Sequence, residues 1–212
     1  FRSEARRIVQ EVADEIGWMY ETRHESGDLI GVVNVTVWSE VFSCPECGAS
    51  INFLEEATSD DGKDISKTIV CPSCGVESSK EQMTLQFETH FDERRRVARR
   101  RPKRVPALIE YSFDGKSFQK SPDQNDLALL ERISSMKLPQ LFPQQDFPDC
   151  QMTRVGRMKT TEVKSVDDLF LARSAHVLWA IWEKINAVSC AATRRMLLFA
   201  VEQTISTGSV LN

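Results

Sequence analysis

Apolar positions change period along the chain, and each change marks an element. Ile8, Val9, Val12, Ala13 and Ile16 recur every three or four residues, which predicts an opening helix. Gly17 is expected to close it by tolerating a positive φ. A turn is expected around Ser26 to Gly31. From Ile30 to Phe42 the period is two, with Val33, Val35 and Val37 against Asn34, Thr36 and Trp38, and this predicts a strand. Ile51 to Leu54 reads as a second short strand, and Thr68 to Val70 as the segment entering the second cysteine pair. The acidic stretch Glu55 to Asp64 between them carries Asp61-Gly62 and reads as an exposed loop.

Period two returns at Leu85, Phe87, Thr89 and Phe91, and again at Val105, Ala107, Ile109, Tyr111 and Phe113. The simplest account is two strands joined by a basic loop. Asp114-Gly115 then predicts a hairpin into a further strand through Phe118. Beyond it the helical period resumes. Ser121-Pro122 reads as an N-cap with proline at the first helical position, opening a helix through Leu127, Leu130 and Ile133. Pro139, Pro143 and Pro148 break the next stretch into a connector. Ser165 with Asp168 predicts a capping box ahead of a stripe of Leu171, Ala175, Leu178, Trp182 and Ile185, with Trp182 in the core. A last helix through Met196, Leu197, Ala200, Val201 and Ile205 ends near Gly208.

The predicted fold is α+β: a four-cysteine zinc ribbon with a small antiparallel β-sheet, flanked by an N-terminal helix and a C-terminal helical part. The segments are 1–28 for the helix and turn, 29–120 for ribbon and sheet, and 121–212 for the helical part. The first residues already look like the middle of a helix and no methionine opens the chain, so a piece of a longer protein is expected. Neither a signal peptide nor a membrane-spanning run is visible, and cytoplasm is the expected compartment.

The 212 residues carry a net charge of -4, unevenly distributed. Arg94, Arg95, Arg96, Arg99, Arg100, Arg101, Lys103 and Arg104 form a basic band in an otherwise acidic chain. Such a band neutralises nucleic-acid phosphates without reading bases, and these eight residues are the candidate DNA contacts. The bland alternative is a solvated loop, or one paired with the acidic body.

Cys44-Pro45-Glu46-Cys47-Gly48 and Cys71-Pro72-Ser73-Cys74-Gly75 repeat one five-residue frame. Each knuckle aims two thiolates at one point, so Cys44, Cys47, Cys71 and Cys74 predict a closed, structural zinc site with no open coordination position. Cys150 and Cys190 show no such spacing.

No catalytic residue is predicted. None of the nine glycines stands two positions from another, so no Gly-x-Gly loop is present to cradle a cofactor. The eight prolines are never adjacent, which leaves no Pro-Pro motif to hold a target amine. His24, His90 and His176 form no ligand pair, and His176 reads as a core or surface histidine.

Four segments then carry a resemblance. Gly17-Trp18-Met19-Tyr20-Glu21-Thr22-Arg23-His24, Val37-Trp38-Ser39-Glu40-Val41-Phe42-Ser43-Cys44-Pro45-Glu46-Cys47-Gly48, Asp123-Gln124-Asn125-Asp126-Leu127-Ala128-Leu129-Leu130-Glu131, and Asp168-Leu169-Phe170 leading to Leu178-Trp179-Ala180-Ile181-Trp182 are involved. Together they resemble the large prokaryotic adenine-specific DNA methylases that carry a zinc-ribbon-like insertion. In that family the resembling region lies between the cofactor-binding glycine motif and the Asp-Pro-Pro-Phe motif. The resemblance implies a parent protein that transfers a methyl group from S-adenosylmethionine to adenine N6 of DNA after flipping the base. This chain would be its central insert, with the remaining methyltransferase domains and DNA as partners. It would bind neither the cofactor nor transfer the methyl group alone. The rival from another class is a non-enzymatic zinc-ribbon adaptor for nucleic acid or protein.

Overall fold

A computed structural model describes residues 1–25, 27–58, 66–92, 95–205 and 208–210. In chain order these form helix α1 (Arg2–Ile16), a 3-10 turn (Gly17–Tyr20), and strands β1 (Glu21–Arg23), β2 (Ile30–Ser43) and β3 (Ser50–Asn52). Helix α2 (Phe53–Ala57) and strands β4 (Thr68–Val70), β5 (Glu77–Ser79), β6 (Thr84–Leu85), β7 (Phe87–Asp92), β8 (Val97–Pro102), β9 (Arg104–Phe113) and β10 (Lys116–Lys120) follow. The remainder is helical: α3 (Gln124–Ser134), α4 (Gln151–Arg154), α5 (Gly156–Thr160), α6 (Ala172–Asn186) and α7 (Ala191–Ile205). The fold is α+β, with small antiparallel sheets and helices at both ends. The chain divides into two compact units, one of Phe1–Val32 with Asp123–Asn212 and one of Val33–Pro122.

In the first unit, α1 packs on α6 and α6 on α7 around Ile8, Val12, Ile185, Val188 and Leu197. Val9 is exposed, because the stripe that reaches the core runs through Ala5, Ile8, Val12 and Ile16. Gly17 keeps a right-handed φ of -57°, so α1 tightens into the 3-10 turn and does not close through a left-handed glycine. Strand β1 pairs antiparallel with the start of β2, Glu21 opposite Val32 and Arg23 opposite Ile30.

Two helix starts differ from expectation. Asp123, not Ser121, caps α3: its carboxylate accepts from the N–H groups of Asn125 and Asp126, while Asp126 accepts from the Asp123 N–H. A carboxylate able to serve two orphan donors outcompetes the hydroxyl two residues earlier. The Ser165–Asp168 box forms, but it caps a 3-10 turn (Val166–Leu169), and α6 begins after Leu171. On α6, Trp182 is 46% exposed, contrary to its expected core position. Ile181 packs against the core instead, since three residues after Leu178 serves the helical stripe as well as four.

In the second unit, the end of β2 is shared by β3 and β6, with Phe42 opposite both Ile51 and Leu85. Strand β9 lies between β2 and β10, and the β9–β10 turn is the predicted Asp114-Gly115 pair, at φ 48° and 71°. Two successive positive φ values define the type I′ turn that matches strand twist. Phe42, Cys44, Ile51, Ala57, Ile69, Cys71 and Met83 make the core here.

The expected strand Ile51–Leu54 stops at Asn52. Leu54 donates its N–H to the buried Ser39 Oγ at 2.9 Å, and Glu55 and Glu56 suit the positive end of α2. The first part of the expected acidic loop is therefore helix. Asp61-Gly62 lies outside the described residues, as do Ser26 and Arg94. The expected basic loop is also corrected. Most of that run is strand β8, paired antiparallel with β7: Glu88 faces Arg101, Thr89 faces Arg100, and His90 faces Arg99. Carboxylates on β7 supply cross-strand partners that let consecutive arginines extend as a strand.

Candidate metal centre

Both knuckles are built alike. Leaving β2, the Cys44 N–H bonds to the Ala49 carbonyl at 2.9 Å and the Gly48 N–H returns to the Cys44 carbonyl at 3.0 Å. Leaving β4, the Cys71 N–H bonds to the Val76 carbonyl at 2.8 Å and the Gly75 N–H returns to the Cys71 carbonyl at 2.9 Å. Gly48 and Gly75 sit at φ 72° and 74°, where only glycine lies at ease, and a Cβ at either would meet no atom within 4 Å. Backbone conformation, not space, fixes glycine at both positions. Strands β3 and β5 carry the chain away, so two hairpins aim their tips at one point.

At that point the four sulfurs of Cys44, Cys47, Cys71 and Cys74 lie within 4.8 Å of one another. Cys44 and Cys74 are 3.7 Å apart, and so are Cys47 and Cys71. A disulfide needs about 2.05 Å, and all six cysteines are free. Cys44 and Cys71 are buried, while Cys47 and Cys74 face solvent. The group can hold a metal ion. Among the described residues no other cluster of histidine, cysteine or carboxylate does so.

Electrostatics favour a cation here. The Cys47 N–H, outweighing burial, lowers the Cys44 thiol to about 7. At Cys74 the Val76 N–H favours the thiolate, yet burial and the crowding of Cys47, Cys71 and Cys44 push it up to about 12. Four thiolates cannot ionise side by side without a positive charge among them, and a metal ion would supply it.

The module is braced from outside. Lys80 lies over the rings of Phe42 and Phe53, 5.2 and 4.6 Å from their centroids, and pairs with Glu40 at 3.6 Å. Ser79 and Gln82 form a capping box around the turn that places Lys80. Sequence reasoning missed Lys80 and Glu40. Only the Ser79-x-x-Gln82 pattern signalled that turn.

Of the candidate DNA contacts, Arg95, Arg96, Arg99, Arg100 and Arg101 lie on one ribbon, Lys103 and Arg104 lie past it, and Arg94 is outside the described residues. Arg95 and Arg99 approach the Asp92 carboxylate at 2.7 and 3.7 Å, Arg101 meets Glu88, and Arg104 reaches Glu40 at 3.8 Å. Burial opposes the Asp92 charge, but the Arg95 N–H, its guanidinium and Arg99 outweigh it and hold the carboxyl below its usual value. Arg100 stacks 4.5 Å from the centroid of Phe87, Arg96 is exposed in the turn at φ 56°, and Lys103 joins β8 to β9.

Other candidates stay apart. The His24 N–H closes the β1–β2 turn on Leu29, and His90 faces Arg99 across the ribbon. Burial pulls the His176 imidazole down from its usual value, which makes it a neutral core residue. Cys150 and Cys190 are exposed outside the cluster. Gly115-Lys116-Ser117 spells the end of a phosphate-loop signature, contrary to the expectation that the chain has no Gly-Lys-Ser/Thr. It occupies the β9–β10 hairpin, with no helix N-terminus behind it to meet a phosphate. No described helix is long and apolar enough to cross a membrane. No protein-family model, curated protein or solved structure matches the chain.

Proposed function

We propose that the four thiolates hold one structural zinc ion. We further propose that the chain is the central zinc-holding insert of an S-adenosylmethionine-dependent DNA adenine methyltransferase, serving DNA recognition or architecture. The observation that carries the metal assignment is the sulfur spacing. A regular tetrahedron with zinc–sulfur bonds of about 2.3 Å has edges of about 3.8 Å. Two edges of the cluster, Cys44–Cys74 and Cys47–Cys71, are 3.7 Å. An all-thiolate donor set suits zinc, and the paired hairpins then form a zinc ribbon closed to substrate.

The methyltransferase reading rests on the four resembling segments. Two of them meet where Thr22 donates to Asp126. The DNA reading gains support from the basic ribbon. S-adenosylmethionine would be held by the remaining domains of the parent chain and would supply the methyl group there.

Two measurements test this. The complete gene product should transfer labelled methyl groups from S-adenosylmethionine to duplex DNA, while this chain alone gives background. A complete reading frame lacking both the glycine-rich and the Asp-Pro-Pro-aromatic motif would overturn the enzyme reading. The purified chain should bind duplex DNA with log affinity falling by about 0.9 per phosphate contact for each unit of log salt. Arg96→Ala with Arg101→Ala should flatten that slope by up to about two contacts' worth.

A further inference from the structure

The basic run is half of a two-stranded ribbon with two unlike faces. Strands β7 and β8 each have six residues, so the ribbon is roughly 20 Å long. Its root is fastened where the Gln86 N–H bonds to the Val41 carbonyl at 2.8 Å, the Lys103 N–H to the Gln86 carbonyl at 2.9 Å, and the Val41 N–H to the Lys103 carbonyl at 3.1 Å. Beyond that root, among the described residues, β7 and β8 pair with each other only.

Residues directly opposite in an antiparallel pair share a face. One face therefore carries Glu88, His90, Asp92, Val97, Arg99 and Arg101, and its side chains pair among themselves: Arg99 with Asp92 and Arg101 with Glu88. The other carries Thr89 beside Arg100 and Phe91 beside Ala98, all four exposed. Phe91 is 63% exposed, beside Ala98.

We propose that this ribbon enters the major groove of duplex DNA and reads base edges with the Thr89, Phe91, Ala98 and Arg100 face. The proposal rests on the DNA-binding reading above and goes beyond phosphate contact. Three arguments carry it. Between Phe87 and Arg104 the sequence holds eight cations against three carboxylates, so the occupant is a polyanion. A B-form major groove, about 12 Å wide, admits a two-stranded ribbon, whereas the A-form major groove of duplex RNA is too deep and narrow. The exposed face pairs one guanidinium with a phenyl ring and two methyl-bearing side chains. Guanidinium recognises guanine O6 and N7, and apolar groups recognise the thymine methyl. The Arg100 guanidinium carbon lies over the Phe87 ring, 4.5 Å from its centroid, which limits where that guanidinium can swing.

The test uses the purified chain with its metal, first selecting a preferred duplex from a random pool. Binding is then compared on that duplex, an unrelated duplex and an RNA duplex of the same sequence. The selected duplex should win, and methylating a contacted guanine at N7 should abolish the preference. Arg100→Ala should cut discrimination at that base pair about 5- to 150-fold, beyond the loss of up to about one phosphate contact's worth of affinity that it causes on unrelated DNA. Phe91→Ser should weaken a thymine preference without altering the salt slope, and it guards against misreading a disturbed Arg100 stack. Equal, salt-sensitive binding to every duplex, indifferent to N7 methylation, would overturn base readout while leaving the DNA-binding insert standing. Preference for RNA would overturn groove entry. No binding to any duplex at low salt would overturn both this proposal and the DNA reading beneath it.

Discussion

Thr22 Oγ1 donates to Asp126 Oδ1 at 2.6 Å, joining residues 104 positions apart, and both are buried. The same Asp126 accepts from the Asp123 N–H at 2.9 Å, so one carboxylate caps α3 and ties it to β1. Replacing Thr22 by valine keeps the shape and leaves a buried carboxylate oxygen one donor short. Thr22→Val should cost about 1–3 kcal/mol in urea unfolding, and Thr22→Ser should cost less. A negligible loss for Thr22→Val beside a larger loss for Thr22→Ser would show that the methyl, not the hydroxyl, matters here.

Local signals carried much of this fold, and competition between neighbouring signals accounts for what was misread. The doubled knuckle and the Asp114-Gly115 hairpin are legible because their glycines serve positive φ, and β2 and the last helix because their apolar positions keep one period. The start of α3 was misplaced because Asp123 and Ser121 both offer caps, and only tertiary placement of Asp126 chooses. Trp182 was misplaced because stripes through 181 and 182 are both helical. From sequence the basic run reads as a loop, since arginine repeats have no apolar alternation. Its strand character comes from Glu88 and Asp92 across the ladder, which a local window does not see. Knuckle spacing made the four ligands legible, whereas the exposed Thr89, Phe91, Ala98 and Arg100 face needed the pairing register.

The ribbon should respond to acid. The Asp92 carboxyl is held below its ordinary 3.8, so the stability it contributes is fully present above that value and is lost as pH falls through the lower folded value. The Arg95 amide, which donates to Asp92 at 2.9 Å, should shift in NMR spectra within that acid window. Asp92→Asn should remove the step. An Arg95 amide that titrates only above pH 4 would contradict the pairing.

Loss of one ligand should stay local. Cys71 lies in the core with Phe42, Ile51, Ile69 and Met83, so Cys71→Ser should release β3 to β6 while α1, α6 and α7 keep their separate core. Hydrogen exchange should show faster amides at Ile51, Ile69 and Met83 and unchanged protection at Val12 and Ile185. Uniform loss of protection across the chain would show that the metal module does not fold as its own unit.

The metal itself is the most direct test. Protein purified under reducing conditions should carry one zinc per chain, and X-ray absorption should show four sulfur neighbours at about 2.3 Å with no oxygen or nitrogen in the shell. A metal-free protein, a light-atom ligand at zinc, or a disulfide between Cys44 and Cys47 would contradict the account.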